Sequence, residues 1–249
     1  MAASNVQSVE RALGLLDLLT DGGGVGSVSA LADAAGLSLP TAHRLLNTME
    51  RCGYVQRYPG RKYALATRTV IVGQTAAGLL KLRALPFLER LVRETGETSN
   101  AAALEGRSVA YFAQVPSPHP MRTFIEEGTR VELHASSVGK ALLAEIPADR
   151  MRDLLLTTDF EAFTPNTITT MEGMRVELEK IRSRGYSIDA GEQDLGIRGI
   201  AVRVPSDVIH AAFSITGPEM RMRAIRIDRL SALLREAAAG FAAELEQRS

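Results

Sequence analysis

Residues 37–65 read LSLPTAHRLLNTMERCGYVQRYPGRKYAL, and the architecture on either side is read outward from this stretch. Pro40 suits the first turn of a helix, where its missing N–H costs nothing. Ala42, Leu45, Leu46 and Met49 then fall at i, i+3, i+4 and i+7, an inward-facing stripe. At 100° per residue the opposite face collects Pro40, Arg44, Asn47 and Arg51, flanked by Thr41 and Thr48. Upstream, residues 29–35 read as a short helix with Ser29 as N-cap and Gly36 as its stop. Two helices across a tight turn, the second presenting hydroxyl, amide and guanidinium groups, describe a helix-turn-helix. Downstream, residues 54–57 and 62–65 flank Tyr58-Pro59-Gly60-Arg61, a hairpin signal. A hairpin in that place is a wing.

Charge gathers on the same stretch. Residues 38–68 hold Arg44, Arg51, Arg57, Arg61, Lys62 and Arg68 against Glu50 alone, a local +5 in a chain of zero net charge. Cations on an exposed helix face and on the hairpin beside it are what binding to a phosphate backbone requires. The expected partner is double-stranded DNA. Candidate contacts are Ser38, Pro40, Thr41, His43, Arg44 and Asn47 on the helix, and Arg57, Arg61 and Lys62 on the wing. Arg44 and Asn47 are expected at base edges in the major groove, with the wing cations at phosphates or in the minor groove. His43 either donates to a phosphate or packs at the helix edge.

Working outward, residues 8–19 form a first helix on Val9, Ala12, Leu13, Leu16 and Leu19, ended by Gly22-Gly23-Gly24. Residues 69–81, rich in Ala, Gly and Leu, read as a linker helix. Beyond them come a helix over 85–94 and a hairpin over 101–115. A strand at 121–126 follows, then helices over 137–144, 148–157 and 172–183. Strands at 186–190, 199–204 and 210–216 precede a closing helix over 220–248. This mixture predicts an α+β fold with a largely antiparallel sheet. The domain reading is 1–68 for the winged helix-turn-helix, 69–81 for the linker, and 82–249 for an effector-binding and oligomerisation domain.

Bulk properties agree. The 249 residues are 45% apolar and 23% charged, an ordinary globular composition. No apolar run approaches the roughly twenty residues of a bilayer span, and the N-terminus does not look like a signal peptide. A single cysteine, Cys52, excludes an intrachain disulfide and fits a reducing cytoplasm; it is expected to pack under the helix end. The histidines at 43, 119, 134 and 210 have no metal-ligand spacing, so neither a metal nor a cofactor is expected. His134 reads as structural.

The signatures VQSVERALGLLDLL, LPTAHRLLNTMERCGYV, LHASSVGKALLA at 133–144 and GYSIDAGEQDLGIRGIAVRV at 185–204, followed by AAFSITGP, resemble those of IclR-family transcriptional regulators. They cover essentially the whole chain in the family's order. The resemblance implies a winged helix-turn-helix, a linker helix and a GAF-like domain that binds a small effector, with dimers or tetramers on palindromic operators. It carries effector contacts to Ser136, Ser137, Val138 and Gly139, to Asp189, to Gly199 and to Ser214 and Thr216. Gly199 stands where the family often has a cysteine, which would leave room for a larger ligand.

Elementary physics supports a site there. Free amides and the helix dipole at the start of the 137–144 helix favour an anion. Asp189 would accept from a hydroxyl or an N–H group, or else cap a strand end. Ser214 and Thr216 share one face of a strand. The expected effector is a small organic acid, aromatic or aliphatic, with a second polar group such as a hydroxy or keto function. Arg203 either grips a carboxylate or is a solvated strand end. Repression of a catabolic operon is the default reading, and activation by the same architecture the alternative. Dimerisation is expected around residues 15–19 and 70–80, because the linker helix has little neighbouring chain to cover its apolar side.

Ser137-Val138-Gly139-Lys140 matches S-x-x-K, the nucleophile and base spacing of penicillin-recognising hydrolases, but K-T-G is absent and Ser206-Asp207 is followed by valine. Gly24-Val25-Gly26 begins a dinucleotide-type pattern that Ser29 breaks. No enzyme is expected.

Overall fold

The computed structural model describes residues 6–247, and the chain divides into two units, Met1–Gly78 and Leu79–Ser249. In the first, helix α1 (Gln7–Asp21) leads into a short strand β1 (Val25–Ser27) and helix α2 (Val28–Ala34). Helix α3 (Leu39–Arg51) follows, then strands β2 (Val55–Tyr58) and β3 (Lys62–Leu65). The strands make an antiparallel sheet in the order β1-β3-β2, which is the winged helix-turn-helix the sequence predicts plus one strand it does not. Ser27, not Ser29, caps α2, its hydroxyl accepting from the Ala30 amide at 3.2 Å. The cap shifts because Val25–Ser27 is drawn into the sheet against Lys62–Ala64.

Leu15, Leu19, Leu31, Leu46, Met49, Val55 and Tyr63 form the core of this unit. Helix α1 is therefore rotated from the expected stripe. Leu15 and Leu19 are fully buried, while Val9 and Leu13 lie more than half exposed. Cys52 is likewise exposed, at the C-cap of α3, and not packed beneath it.

Helix α4 (Thr67–Thr95) runs from one unit into the other. The expected linker helix and the helix over 85–94 are thus one element, with Pro86 inside it. Ala84, Leu88 and Leu91, at i, i+4 and i+7, bury one stripe and carry the helix through the proline.

The second unit is built on a six-stranded antiparallel sheet. In chain order its strands are β4 (Thr98–Glu105), β5 (Ser108–Val115), β6 (Arg130–Val131), β7 (Ser187–Asp189), β8 (Ile197–Arg203) and β9 (Ala211–Pro218). Across the sheet they run β6-β5-β4-β9-β8-β7. The helices are α5 (Ser137–Glu145), α6 (Ala148–Leu156), α7 (Met171–Arg184), α8 (Glu219–Ala224) and α9 (Ile227–Glu246). Strand alternation sorts the two faces. Ile200, Val202, Phe213 and Ile215 pack with Leu88 and Leu91 of α4 and with Leu230, Leu234 and Phe241 of α9. Ala102, Ala201 and Ala212 face α5 and α7. Small residues on that second face let α5 lie close enough to the sheet that residues Ser137–Ala144 are all buried.

Two expectations change here. Residues 121–126 form no strand, because β5 pairs at that edge with Arg130–Val131 instead. The closing helix is broken at Ile225 and Arg226, which adopt extended backbone between α8 and α9. The break lets both Met222 and Leu230 enter the core. The expected end at Arg248 lies outside the described residues.

Candidate functional site

On α3, Ser38 caps the helix, accepting from the Thr41 amide at 3.4 Å and sharing a 2.8 Å hydroxyl contact with Thr41. Its N-terminal end, with Ser38, Pro40, His43 and Arg44, is exposed. The wing turn places Gly60 and Arg61 at φ +79° and +59°, which projects Arg61 and Lys62 into solvent. Ser38, Pro40, Thr41, His43 and Arg44 thus belong to one helix start, with Arg61 and Lys62 on the hairpin tip.

Asn47 sits differently from the expectation that it reads a base. Its carbonyl oxygen accepts from the Arg57 guanidinium and from the Tyr63 hydroxyl, each at 2.6 Å. Its amide lies 3.1 Å from His43 Nδ1. Arg57 in turn pairs with Glu50 at 3.0 Å and lies over the Tyr63 ring, 4.5 Å from its centroid. This network ties the middle of α3 to β2 and β3, and Glu50 neutralises the wing cation nearest the helix. Burial raises the Tyr63 phenol above its ordinary value, with Arg57 opposing, so it stays a donor.

In the second unit, the start of α5 opens on a cavity of ≈ 430 Å³. Ser136, Ser137, Asp189 and Thr216 of the expected contacts line it, together with Tyr111, Phe124, Glu126, Gln193, Asp194 and Ile197. The Ser136 hydroxyl caps the helix, accepting from the Gly139 amide at 3.1 Å and donating to the Glu132 carbonyl. The amides of Ser137 and Val138 find no acceptor among the described residues. Asp189 is almost wholly buried and accepts from the Glu192 amide at 2.7 Å. Burial pushes its carboxyl above the ordinary value, against the pull of the neighbouring amides and of Lys140.

The remaining expected contacts lie behind the wall. Val138 is buried in the core beneath α5. Gly139 fits against the Leu133 backbone, where a Cβ would come within 2.6 Å of Leu133 Cα. The Ser214 hydroxyl, fully buried, accepts from the Asn100 side-chain amide, which also reaches Thr216. Gly199 corrects a specific expectation. A Cβ there would stand 2.8 Å from Ser137 Oγ, so the space left by the missing side chain holds the serine hydroxyl and does not enlarge the cavity. Arg203 bonds to the Ser206 carbonyl and lines a separate cleft with Arg235.

Sequence reasoning missed Tyr111 and Gln193, which flank Asp189 across the cavity, and the buried pair Lys140–Glu192. Lys140 has no exposed surface; its ammonium contacts both Glu192 oxygens at 2.5 Å and the Ile188 carbonyl at 2.6 Å. A lysine so committed cannot serve Ser137 as a base, which removes the hydrolase reading. His134, as expected, is structural: it is buried, stacks on Phe163 and bonds to the Glu161 carbonyl at 2.9 Å. Among the described residues no helix is long and apolar enough to cross a membrane, and no cluster of His, Cys, Asp and Glu could hold a metal ion.

Against known proteins, residues 8–59 match the family model described as the IclR helix-turn-helix domain. Residues 77–242 match that of the bacterial transcriptional regulator IclR C-terminal domain. The chain is 33% identical over 244 residues to the transcriptional repressor IclR of Escherichia coli (strain K12), covering 95% of this chain and 89% of that one. It is 32% identical over 249 residues to the repressor AllR of Klebsiella pneumoniae, covering 98% and 92%. The crystal structure of Thermotoga maritima IclR superimposes with a TM-score of 0.64 at 26% identity, covering 97% and 99%. An IclR homolog from Microbacterium hydrocarbonoxydans, complexed with 4-hydroxybenzoate, gives 0.63 at 26% identity, covering 96% and 99%.

Proposed function

This chain belongs to the IclR family of bacterial transcriptional regulators, and from that premise we propose that it is a ligand-responsive repressor of a catabolic operon. It is a DNA-binding regulator and not an enzyme. One observation carries the ligand-responsive reading: a winged helix-turn-helix with an exposed cationic helix start shares a chain with a polar cavity at the start of α5. Arg44 reads base edges, while Arg61 and Lys62 hold phosphates. Relatives that are named repressors support repression.

The effector is a small organic acid with a second polar group. Its carboxylate meets the open amide of Ser137 at the start of α5, and the second group meets Asp189. The neighbour's complex with 4-hydroxybenzoate is an acid of that type. The protein works as a dimer or tetramer on a palindrome, since one half-site gives too little selectivity in a genome. The covering face is Val9 and Leu13 of α1 with Val70 and Ile71 of α4, all at least half exposed. Leu15 and Leu19 belong to the core and take no part.

Fluorescence anisotropy of an operator fragment, titrated with small acids, tests this reading. Wild type should release DNA on adding the effector, while Asp189→Ala binds DNA normally and ignores it. An Asp189→Ala protein that responds with unchanged potency would place the effector elsewhere.

A further inference from the structure

Carboxylates gather around the α5 cavity, and two of its polar groups have no partner. Tyr111 is 6% exposed, yet its hydroxyl, on the cavity wall, makes no hydrogen bond among the described residues. Gln193 Oε1 is buried without a donor. Asp189, 7% exposed, accepts from the Glu192 amide at 2.7 Å with the Gln193 and Gly191 amides beside it, and keeps its remaining acceptor capacity toward the cavity it lines. Glu126 and Asp194 add further carboxylates to the lining, and no lysine, arginine or histidine is among the lining residues. Lys140, the nearby cation, is neutralised by Glu192. The buried group of Lys140, Glu192 and Asp189 therefore carries one negative charge in excess.

Hydrogen counting decides what such a wall accepts. A keto oxygen brings no hydrogen: it can take an N–H from the Gln193 amide but faces Asp189 acceptor to acceptor. A hydroxyl brings one hydrogen for two acceptors. An amino or primary amide nitrogen brings two or more, and an ammonium also offsets the excess charge. A buried acceptor left without a donor is costly, so the count discriminates strongly between these groups.

We propose that the ligand is a nitrogen-bearing acid, an amino acid or an amide of a dicarboxylic acid. Its N–H donors go to Asp189 and Gln193, and its carboxylate receives the Tyr111 hydroxyl together with the Ser137 amide. This rests on the reading of the cavity as the effector site and names the chemical class that reading leaves open. Tyr111 and Gln193 are then specificity-determining residues.

The test uses the full-length protein and matched sets of keto, hydroxy and amino acids on three-, four- and five-carbon and phenyl-substituted three-carbon skeletons. Succinamate and glutaramate are added beside their parent diacids. Calorimetry reads affinity, and operator anisotropy reads response. On the skeleton that binds, the amino or amide member should bind at least tenfold tighter than its keto partner. Gln193→Leu should cut affinity for the nitrogen member by about tenfold and barely affect the hydroxy member, whereas Tyr111→Phe should weaken all members alike by about fivefold. Unchanged thermal unfolding of both variants checks that they fold. A keto acid that binds as tightly as its amino partner and releases DNA overturns this inference while leaving the regulator reading intact. No binding by any nitrogen-bearing member also overturns it.

Discussion

Asn47 shows how one side chain can be pulled between two jobs. Its place on the outer face of α3 suits base contact, yet its oxygen already accepts from Arg57 and Tyr63. Removing it strands a buried phenol and a guanidinium, a loss of about 1–3 kcal/mol. Asn47→Ala should therefore lower the urea midpoint clearly, and a variant that unfolds like wild type would show the network to be idle. Asp189 carries a pH signature of the opposite kind. Its folded carboxyl is raised above the ordinary value of 3.8 by burial. The folded state thus holds that proton more tightly than the unfolded chain does. The stability this supplies is complete below 3.8 and is lost as pH rises through the folded value. Asp189→Asn has no such loss, so in urea melts its advantage over wild type should grow with pH across that window. A constant difference would contradict the buried, ionising carboxylate.

At the scale of elements, Pro86 is the informative case. It lies exposed in the middle of α4, where it removes a helical hydrogen bond but contributes no buried surface. Pro86→Ala should stabilise the protein by about 1–2 kcal/mol, alanine's helix preference less the freedom returned to the unfolded chain. A lower melting temperature would mean the ring matters to packing. The same helix shows where sequence reading stops. The α3 stripe was legible because Ala42, Leu46 and Met49 are its buried residues and polar groups fill the other side. In α1, leucines occur on several sides, so periodicity alone did not choose Leu15 and Leu19 over Val9 and Leu13. Strand β1 has three residues, too few to alternate. Residues 121–126 have strand composition, but β5 pairs on that side with Arg130–Val131 instead. In the cavity, Ser136, Ser137, Asp189 and Thr216 were legible as wall residues through the family resemblance. Tyr111 and Gln193 were not, because a lone tyrosine on a strand and a glutamine in a turn carry no local motif. Nor does spacing reveal that Ser137 fills the space at Gly199.

For the molecule as a whole, the proposed assembly couples to DNA binding, because two half-sites are needed for selectivity. In the first unit Val9, Leu13, Val70 and Ile71 leave apolar surface that a second copy would cover. Replacing Leu13 and Ile71 together by aspartate should yield a particle of 26.8 kDa in light scattering and weaken operator binding at least a hundredfold. A wild type that is itself monomeric at micromolar concentration would contradict the assembly.

The exposed start of α3 is the proposed DNA reader, and Arg44 is the side chain on which that role turns. The measurement is a titration of wild type and Arg44→Ala against the intergenic fragment beside the protein's own gene, at about 0.15 M salt, where backbone attraction no longer hides base reading. Wild type should bind a palindromic site within the fragment, and Arg44→Ala should bind it more weakly by about 1–3 kcal/mol, roughly 5- to 150-fold, with binding to unrelated DNA little changed. Equal binding of the operator by both proteins would contradict the account.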